Sequence, residues 1–368
     1  MNLTFFYTHN LVNDLLKIEK FKTALEYLYL PTRAKQKLMY DAKLKKTHFS
    51  TSIEGNVLSY NQVEQVIKKK KEDLRLNAEI EVQNYWDALT FLEECSKQKR
   101  TLDLELILDL HDIIERKGKL KRINFREPTP PGVLFAVYDS VTRRPEYIPP
   151  ESKDIKPLME NLIDWYNNTN DIPVAIKAAI MNYAFVSIHP FNDGNGRTSR
   201  ALATYILMLN DYDFKGFNSF EEYYMSDLKG YYESLQMGLP PLFYDGRENP
   251  PHLEIWLEYF CRVMALNAEN IYNQALEVTK KENKEIFDGL NKKDMIFLRY
   301  CLENHKTRIK PKEIATLFNV TTRAVTKWTV DWVNKGILEP SSGQTRITEY
   351  KLTKQFEEIK ISEIGFVE

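Results

Sequence analysis

The sequence predicts a mainly α-helical protein: a helical bundle interrupted by one β-hairpin, followed by a C-terminal winged-helix domain. Three observations carry this. Glycine is sparse, at 13 of 368 residues, and long stretches repeat apolar residues with a helical period. One proline-flanked segment, residues 124–150, is β-prone instead. After about Glu285 the pattern changes to short helices and an alternating run. The chain is therefore divided into residues 1–110, an N-terminal helical region, residues 111–287, a helical core with the hairpin, and residues 288–368, the winged helix.

Taken in order, a helix is expected over residues 31–54. A second starts at Ser59, where Gln62 completes a capping box and Val63, Val66 and Ile67 supply the apolar stripe. The basic run of residues 68–71 reads as its solvated end. Amphipathic helices follow at 76–94, 103–115, 173–188 and 197–210. Between them, Gly-Val-Leu-Phe-Ala-Val-Tyr (132–138) and Pro-Glu-Tyr-Ile (145–148) form the hairpin, joined by 139–144. Prolines at 128, 130, 131, 149 and 150 forbid helix on both flanks. Its free edge is a lid or docking edge, or else a packed connector. Residues 292–304 and 311–318 are then helical, Asn319 and Val320 turn the chain, and Thr321 caps a third helix, 322–335, that Gly336 ends. Residues 340–343 turn again before the alternating run 346–352.

Composition narrows the class. The hydrophobic share is 43%, the charged share 28%, the mean hydropathy −0.46 and the formal net charge −1. That balance fits a soluble globular protein and argues against a surface-wide polyanion binder. No stretch approaches the roughly 20 apolar residues of a membrane span. The first ten residues are neither basic nor followed by a long apolar core, so no secretory signal is expected. Cys95, Cys261 and Cys301 are scattered and odd in number, which fits a reducing, cytoplasmic compartment.

The chemistry concentrates in His-Pro-Phe-Asn-Asp-Gly-Asn-Gly-Arg-Thr-Ser-Arg, residues 189–200, between an apolar helix and an amphipathic one. Gly194, Asn195 and Gly196 fall at a helix start, where backbone N–H groups lack intrahelical partners and the helix dipole favours an anion. Arg197 and Arg200, three apart, share one face and suit successive phosphates. Asp193 offers a hard oxygen to Mg²⁺. His189, with an ordinary pKa of roughly 6.5, suits removal of a proton from a hydroxyl. The run is neither a P-loop nor a dinucleotide fingerprint, and His189 has no second histidine at zinc spacing.

This segment resembles the Fic family signature, H-P-F-x-[D/E]-G-N-G-R-x-x-R, at every defined position, and the resemblance extends over roughly residues 60–250. Asn124-Phe-Arg126 and Tyr147-Ile-Pro-Pro150 are similar to the stretches flanking the flap that aligns a target chain. The resemblance implies a Fic-type helical bundle that transfers AMP from ATP, with Mg²⁺, to a protein hydroxyl docked on the flap 132–148. It implies His189 as base, Asp193 as metal ligand, and Gly194, Asn195 and Gly196 at the α-phosphate. Arg197 is then assigned to the β-phosphate, Arg200 to the γ-phosphate, and Phe191 to the core beneath the loop. Tyr231 and Tyr232 resemble the family's aromatic pair near the adenosine. Relatives that move other groups lose one of the loop glycines; both are kept here, which favours adenylyl transfer.

A second segment is Ser-Thr-Ser-Ile-Glu-Gly-Asn, residues 50–56. Glu54 closes a long helix, with Gly55 or Asn56 as a left-handed cap, and a carboxylate there meets the negative end of the helix dipole. It is either solvated or paired with a distant cation. The segment resembles the Fic inhibitory motif [S/T]-x-x-x-E-[G/N], with Ser50 first and Glu54 as the acid. The resemblance implies that Glu54 pairs with Arg200 and blocks the γ-phosphate site. The same site also suits removal of AMP, with Glu54 positioning a water, and the two directions stay open.

Residues 292–354 hold 13 Lys+Arg against 6 Asp+Glu, a net of +7. A basic winged helix suits DNA, with 322–335 as the recognition helix, Arg323 and Lys327 on one face and Arg346 on the wing. Such modules equally serve protein docking or self-association, so residues 288–354 are expected to contact DNA or to form a homodimer. A DNA-binding regulator in a toxin–antitoxin-like setting is the alternative to an enzyme.

Overall fold

The computed structural model describes residues 3–28, 30–116, 124–138, 145–287, 289–341, 347–357 and 359. The hairpin connector 139–144, the wing residue Arg346 and part of the turn 340–343 lie outside the described residues. The chain forms two compact units: one comprises Met1–Tyr27 and Gln36–Asn273, the other Leu28–Lys35 and Gln274–Glu368. Among the described residues no helix is long and apolar enough to cross a membrane.

The first unit holds α1 (His9–Tyr27), α2 (Thr32–Ile53), α3 (Tyr60–Lys68), α4 (Asn77–Lys97) and α5 (Leu104–Ile114). After the hairpin come α6 (Ser152–Asn168), α7 (Val174–Ile188), α8 (Asn195–Leu209), α9 (Glu221–Ser226), α10 (Leu228–Gln236) and the long α11 (Glu254–Phe287), which runs on into the second unit. The Ser59 cap forms as expected, Gln62 Oε1 accepting from the Ser59 backbone N–H at 2.9 Å. Below it Val63 and Val66 are buried beside Leu44 and Val82. The lysines of 68–71 are solvated, and Lys68, Lys69 and Lys71 pair with Glu64, Glu79 and Asp87.

One expectation changes. The segment 173–188 is buried on nearly every side rather than amphipathic, from Ala175 through Ile188. A helix apolar all round is a central helix. α7 is that centre, packed along α8, and α4 and α5 in turn pack on α8. Trp256 of α11 fixes it laterally by donating from its indole to Ala179 O at 2.7 Å.

The hairpin is shorter than its β-prone residues suggest. Only β1 (Val137–Tyr138) and β2 (Pro145–Tyr147) pair, antiparallel. Residues 133–136 carry no ladder, because the chain turns at Gly132 (φ +81°) just after two prolines, with Val133 N–H donating to Pro130 O. On its other side the chain after β2 finds a partner that the sequence did not announce. Ile148 donates to Pro241 O and accepts from Phe243 N, both at 2.9 Å.

In the second unit, α12 (Lys292–Glu303), β3 (Arg308–Ile309), α13 (Pro311–Phe318), α14 (Thr322–Asn334), β4 (Leu338–Pro340) and β5 (Tyr350–Leu352) follow in chain order. The three strands form an antiparallel sheet in the order β3-β5-β4. Asn319 turns the chain in the left-handed region (φ +51°), and the Thr321 hydroxyl caps α14 through Ala324 N. Trp332 is fully buried, stacked on Phe297 at 4.0 Å between ring centroids, and Trp328 and Val333 pack at its margin. The buried Asp294 carboxylate accepts from the Trp332 indole and the Lys335 ammonium, both at 2.7 Å. Burial would raise its pKa, but these bonds outweigh that and hold it below the ordinary carboxylate value.

Candidate active site

His189 is the residue that ends α7, in the left-handed region at φ +50°, ψ +58°. That turn directs the next residues back across the helix end. Phe191 is fully buried and stacks on His111 with ring centroids 3.5 Å apart and planes 4° from parallel. Asn195 staples the loop: its side chain accepts from Phe191 N at 3.0 Å and donates to Phe191 O at 2.8 Å. The Asn195 amide is thus committed to loop structure, and only its backbone N–H belongs to the start of α8. That first turn, Asn195 to Arg197 behind the left-handed Gly194 (φ +72°), carries N–H groups with no carbonyl a turn before them. The left-handed φ at 194 favours glycine there, and a Cβ at either glycine would meet a carboxylate. A side chain on Gly194 would meet Glu115 Oε1 at 2.6 Å, and one on Gly196 would run into the Glu54 carboxylate.

The imidazole Nδ1 faces Val186 O at 3.3 Å, so Nδ1 carries the proton in a hydrogen bond and Nε2 is left with its lone pair. The His189 pKa is lowered to about 4, chiefly by burial and also by the Arg126 cation, while Val186 O, Glu54 and Asp193 pull the other way. Neutral imidazole is the form that accepts a proton.

Glu54 lies just beyond α2. Gly55 takes the left-handed cap (φ +93°), and Asn56 N–H reaches back to Thr51 O at 3.1 Å. This places the Glu54 carboxylate over Gly196 and within 2.8 Å of Arg200 Nη2. Arg200 is buried; its Nε donates to Ser50 Oγ at 3.0 Å and its Nη2 to Ser50 O at 2.9 Å. Burial opposes its charge, but Glu54, with Tyr231 and Tyr85, more than offsets this, so its pKa stands above the ordinary arginine value.

Arg197 is placed differently from the expectation that it faces phosphate. Its side chain is 4% exposed and bonds to the carboxylates of Glu81 and Glu115, the latter at 2.8 Å, with Asp193 Oδ1 at 3.6 Å. Glu81 also accepts from Asn56 Nδ2 at 2.7 Å, which ties the turn after Glu54 to the same arginine. Glu81 and Glu115 were not singled out from the sequence. Asp193 stands at the loop surface, its side chain 65% exposed. Of the aromatic pair, Tyr231 is buried and stacked on Tyr224 at 4.6 Å, while Tyr232 keeps an exposed ring.

His189, Gly196, Arg200, Glu54, Tyr231 and Tyr232 line one cavity of about 190 Å³, closed on one side by Val137 and Tyr147 of the hairpin. Arg126 donates to His189 O at 3.0 Å, and the Tyr147 hydroxyl donates to Ser187 O. A base, a helix start and a hairpin thus meet at one pocket.

Comparison with known proteins agrees with this arrangement. Residues 101–207 match the Fic/DOC family. The chain is 26% identical over 203 residues to protein adenylyltransferase Fic of Drosophila grimshawi, covering 54% of this chain and 40% of that one. It is 30% identical over 183 residues to protein adenylyltransferase fic-1 of Caenorhabditis elegans, covering 48% and 34%. The matched segments thus span well under half the length of these relatives. Among solved structures, a Fic family protein from Desulfovibrio desulfuricans G20 superposes with a TM-score of 0.58 at 19% identity, covering 96% of this chain and 99% of that one. Fic-1 of C. elegans gives 0.56 at 22% identity, covering 74% and 73%. The loop, the helix start and the hairpin thus lie in the stretch, residues 101–207, over which the chain is similar to the Fic/DOC family.

Proposed function

We propose that this protein transfers AMP from ATP to a Ser, Thr or Tyr hydroxyl of a target protein, and that Glu54 inhibits the transfer until it is displaced. The observation that carries the reading is the shared pocket: a neutral imidazole, the first turn of α8 and a carboxylate lying on that turn. A helix start attracts anions, so the Glu54 carboxylate takes ground that suits a phosphate.

In the reaction, His189 Nε2 accepts the hydroxyl proton as the oxygen attacks the α-phosphorus; the bond to the β-phosphate breaks and pyrophosphate leaves. The backbone N–H groups at Asn195 and Gly196 stabilise the charge that gathers on the α-phosphate oxygens. With Glu54 withdrawn, the Arg200 guanidinium is free to hold the terminal phosphate. The adenosine is assigned to the exposed Tyr232 ring. A magnesium ion fits the residues present. Asp193 is an exposed carboxylate at the loop, and no cluster of three or more metal-binding side chains exists among the described residues, as suits an ion held mainly by phosphate oxygens. When bound, that ion neutralises phosphate charge. Removal of AMP by the same pocket would be a separate hydrolysis: water attacks the phosphorus of protein-bound AMP, the bond to the protein oxygen breaks, that oxygen takes a proton and AMP leaves.

The test is incubation of Glu54→Gly with ATP and lysate, with mass spectrometry for AMP on proteins. Modified proteins are expected with Glu54→Gly and none with Glu54→Gly plus His189→Ala. No difference between Glu54→Gly and wild type would remove the inhibitory role.

A second reading concerns the other unit, which we assign as a winged helix that contacts DNA. The exposed face of α14 presents Arg323, Thr326, Lys327, Val330 and Asn334, and its half-exposed acid, Asp331, is paired with Lys335 at 3.0 Å. Basic side chains on a helix suit the phosphate backbone. Gel shifts over a salt series should lose slope in Arg323→Ala with Lys327→Ala; no shift at low salt would instead favour docking of protein or of a second copy.

A further inference from the structure

A central helix that ends inside a protein leaves its last carbonyls without intrahelical donors. At the end of α7 these carbonyls are taken up in sequence. Phe185 O accepts from His189 N at 3.0 Å and Val186 O from His189 Nδ1. Ser187 O accepts from the Tyr147 hydroxyl, and His189 O from Arg126 Nε at 3.0 Å. Arg126 N–H also donates to Pro190 O at 2.9 Å. Two of the donors, Tyr147 and Arg126, belong to the hairpin or its approach. Arg126 is 5% exposed, donates to Pro150 O beyond β2, and lies 4.4 Å from the Phe135 ring centroid before β1. It therefore touches both ends of the hairpin and the residue that carries the imidazole.

We propose that Arg126 is a positioning residue for the reaction: its guanidinium joins the hairpin to the His189 carbonyl and so holds the imidazole toward the pocket, with residue 189 in the left-handed backbone region. The proposal rests on the assignment of His189 as base, but its first readout does not. The left-handed conformation of a non-glycine residue costs free energy and persists only where neighbours over-determine it. Here the neighbours are the bonds just named, and Arg126 supplies those to residues 189 and 190. Its charge has a second effect. A helix C-terminus favours a cation, which on its own would stabilise imidazolium. A buried guanidinium beside it opposes that and adds to the burial that chiefly keeps His189 neutral. The other charged or titratable groups around the pocket are Glu54 beyond α2, Asp193 in the loop, Glu146 and Tyr147 of the hairpin, Arg200, Tyr231 and Tyr232, and Arg247. Arg126 differs from them in bonding directly to the His189 backbone.

The test uses the full chain with ¹³C-labelled histidine, titrating the six imidazoles by NMR and assigning His189 by its loss in His189→Ala. In Arg126→Gln the His189 midpoint is expected to rise above about 4 by the share the guanidinium contributes, and to stay below the ordinary value of roughly 6.5 because burial remains. Arg126→Lys keeps the charge and loses the fork, so its midpoint should stay low. In the Glu54→Gly background both variants should lose about 100-fold in kcat, with KM for ATP much less affected, as a misplaced reacting group requires. An unmoved midpoint in Arg126→Gln, or an unchanged kcat in both variants, overturns the proposal. So does identical behaviour of Lys and Gln in both measurements, which would reduce Arg126 to a structural prop. If Glu54→Gly itself transfers nothing, the enzymatic reading fails, and the titration still decides what Arg126 does to His189.

Discussion

Arg197 and Arg200 sit three residues apart on α8, both almost fully buried and both neutralised by carboxylates, yet the two are built differently. Arg197 is enclosed by Glu81 of α4 and by Glu115 at the end of α5, two helices packed on α8 itself. Arg200 forms its ion pair with Glu54, partly exposed and carried by the turn after α2, with the buried Glu221 also in its electrostatic range. Removing a carboxylate from the first cluster disturbs the core; removing it from the second uncovers a cation and a helix start. The same charge pairing is therefore structural at one arginine and suited to regulation at the other. Asn56 connects them, since its amide reaches Glu81 two residues after Glu54.

This contrast can be broken or sharpened in order of expected effect. The largest is loss of the base: His189→Ala added to Glu54→Gly should lower AMP transfer by about 10³-fold in an initial-rate assay. Next, Glu115→Gln should lower stability by about 2 kcal/mol in urea unfolding, because a buried guanidinium loses one of its two carboxylate partners, and it should not raise AMP transfer. Glu54→Gly should differ in activity, raising the rate about 10- to 100-fold by releasing one charge-assisted bond, while its unfolding midpoint also falls because the buried Arg200 loses its ion-pair partner. Activation by Glu115→Gln would erase the distinction between the two arginines. Asn56→Ala should have the smallest effect, about fivefold activation from loss of one hydrogen bond that steadies the turn. In pH the sign follows from His189. A pKa lowered to about 4 leaves the imidazole deprotonated above that pH, and Glu54 is one of the groups holding it up, so the acid limb of kcat/KM for Glu54→Gly should lie at or below about 4 rather than near 6.5.

The segment 189–200 could be read in the sequence because its groups are contiguous: twelve residues hold the histidine, the glycines and both arginines. Glu54 was legible because a carboxylate at a helix end, followed by glycine, is locally unusual. The partners of Arg197 were not, because Glu81 and Glu115 stand in ordinary helical surroundings and become special only when α4 and α5 pack on α8. The Asn195 amide was hidden for a similar reason, since its partner is a backbone four residues earlier. Helix periodicity found α2, α4 and α5 but missed that α7 is buried all round, and it passed over α1 and α6. The hairpin was placed correctly and drawn too long, because β-propensity does not register the turn at Gly132 or the pairing of Ile148 with 241–243.

The central claim is that the α-phosphoryl group moves and that Glu54 withholds it. Its most direct measurement compares ATP labelled at the α- and the γ-phosphate, each incubated with wild type and with Glu54→Gly in the presence of lysate protein. The account requires protein-bound label from the α-position, strong in Glu54→Gly and weak in wild type, and none from the γ-position. Label arriving from the γ-phosphate, or equal α-label in the two proteins, would contradict it.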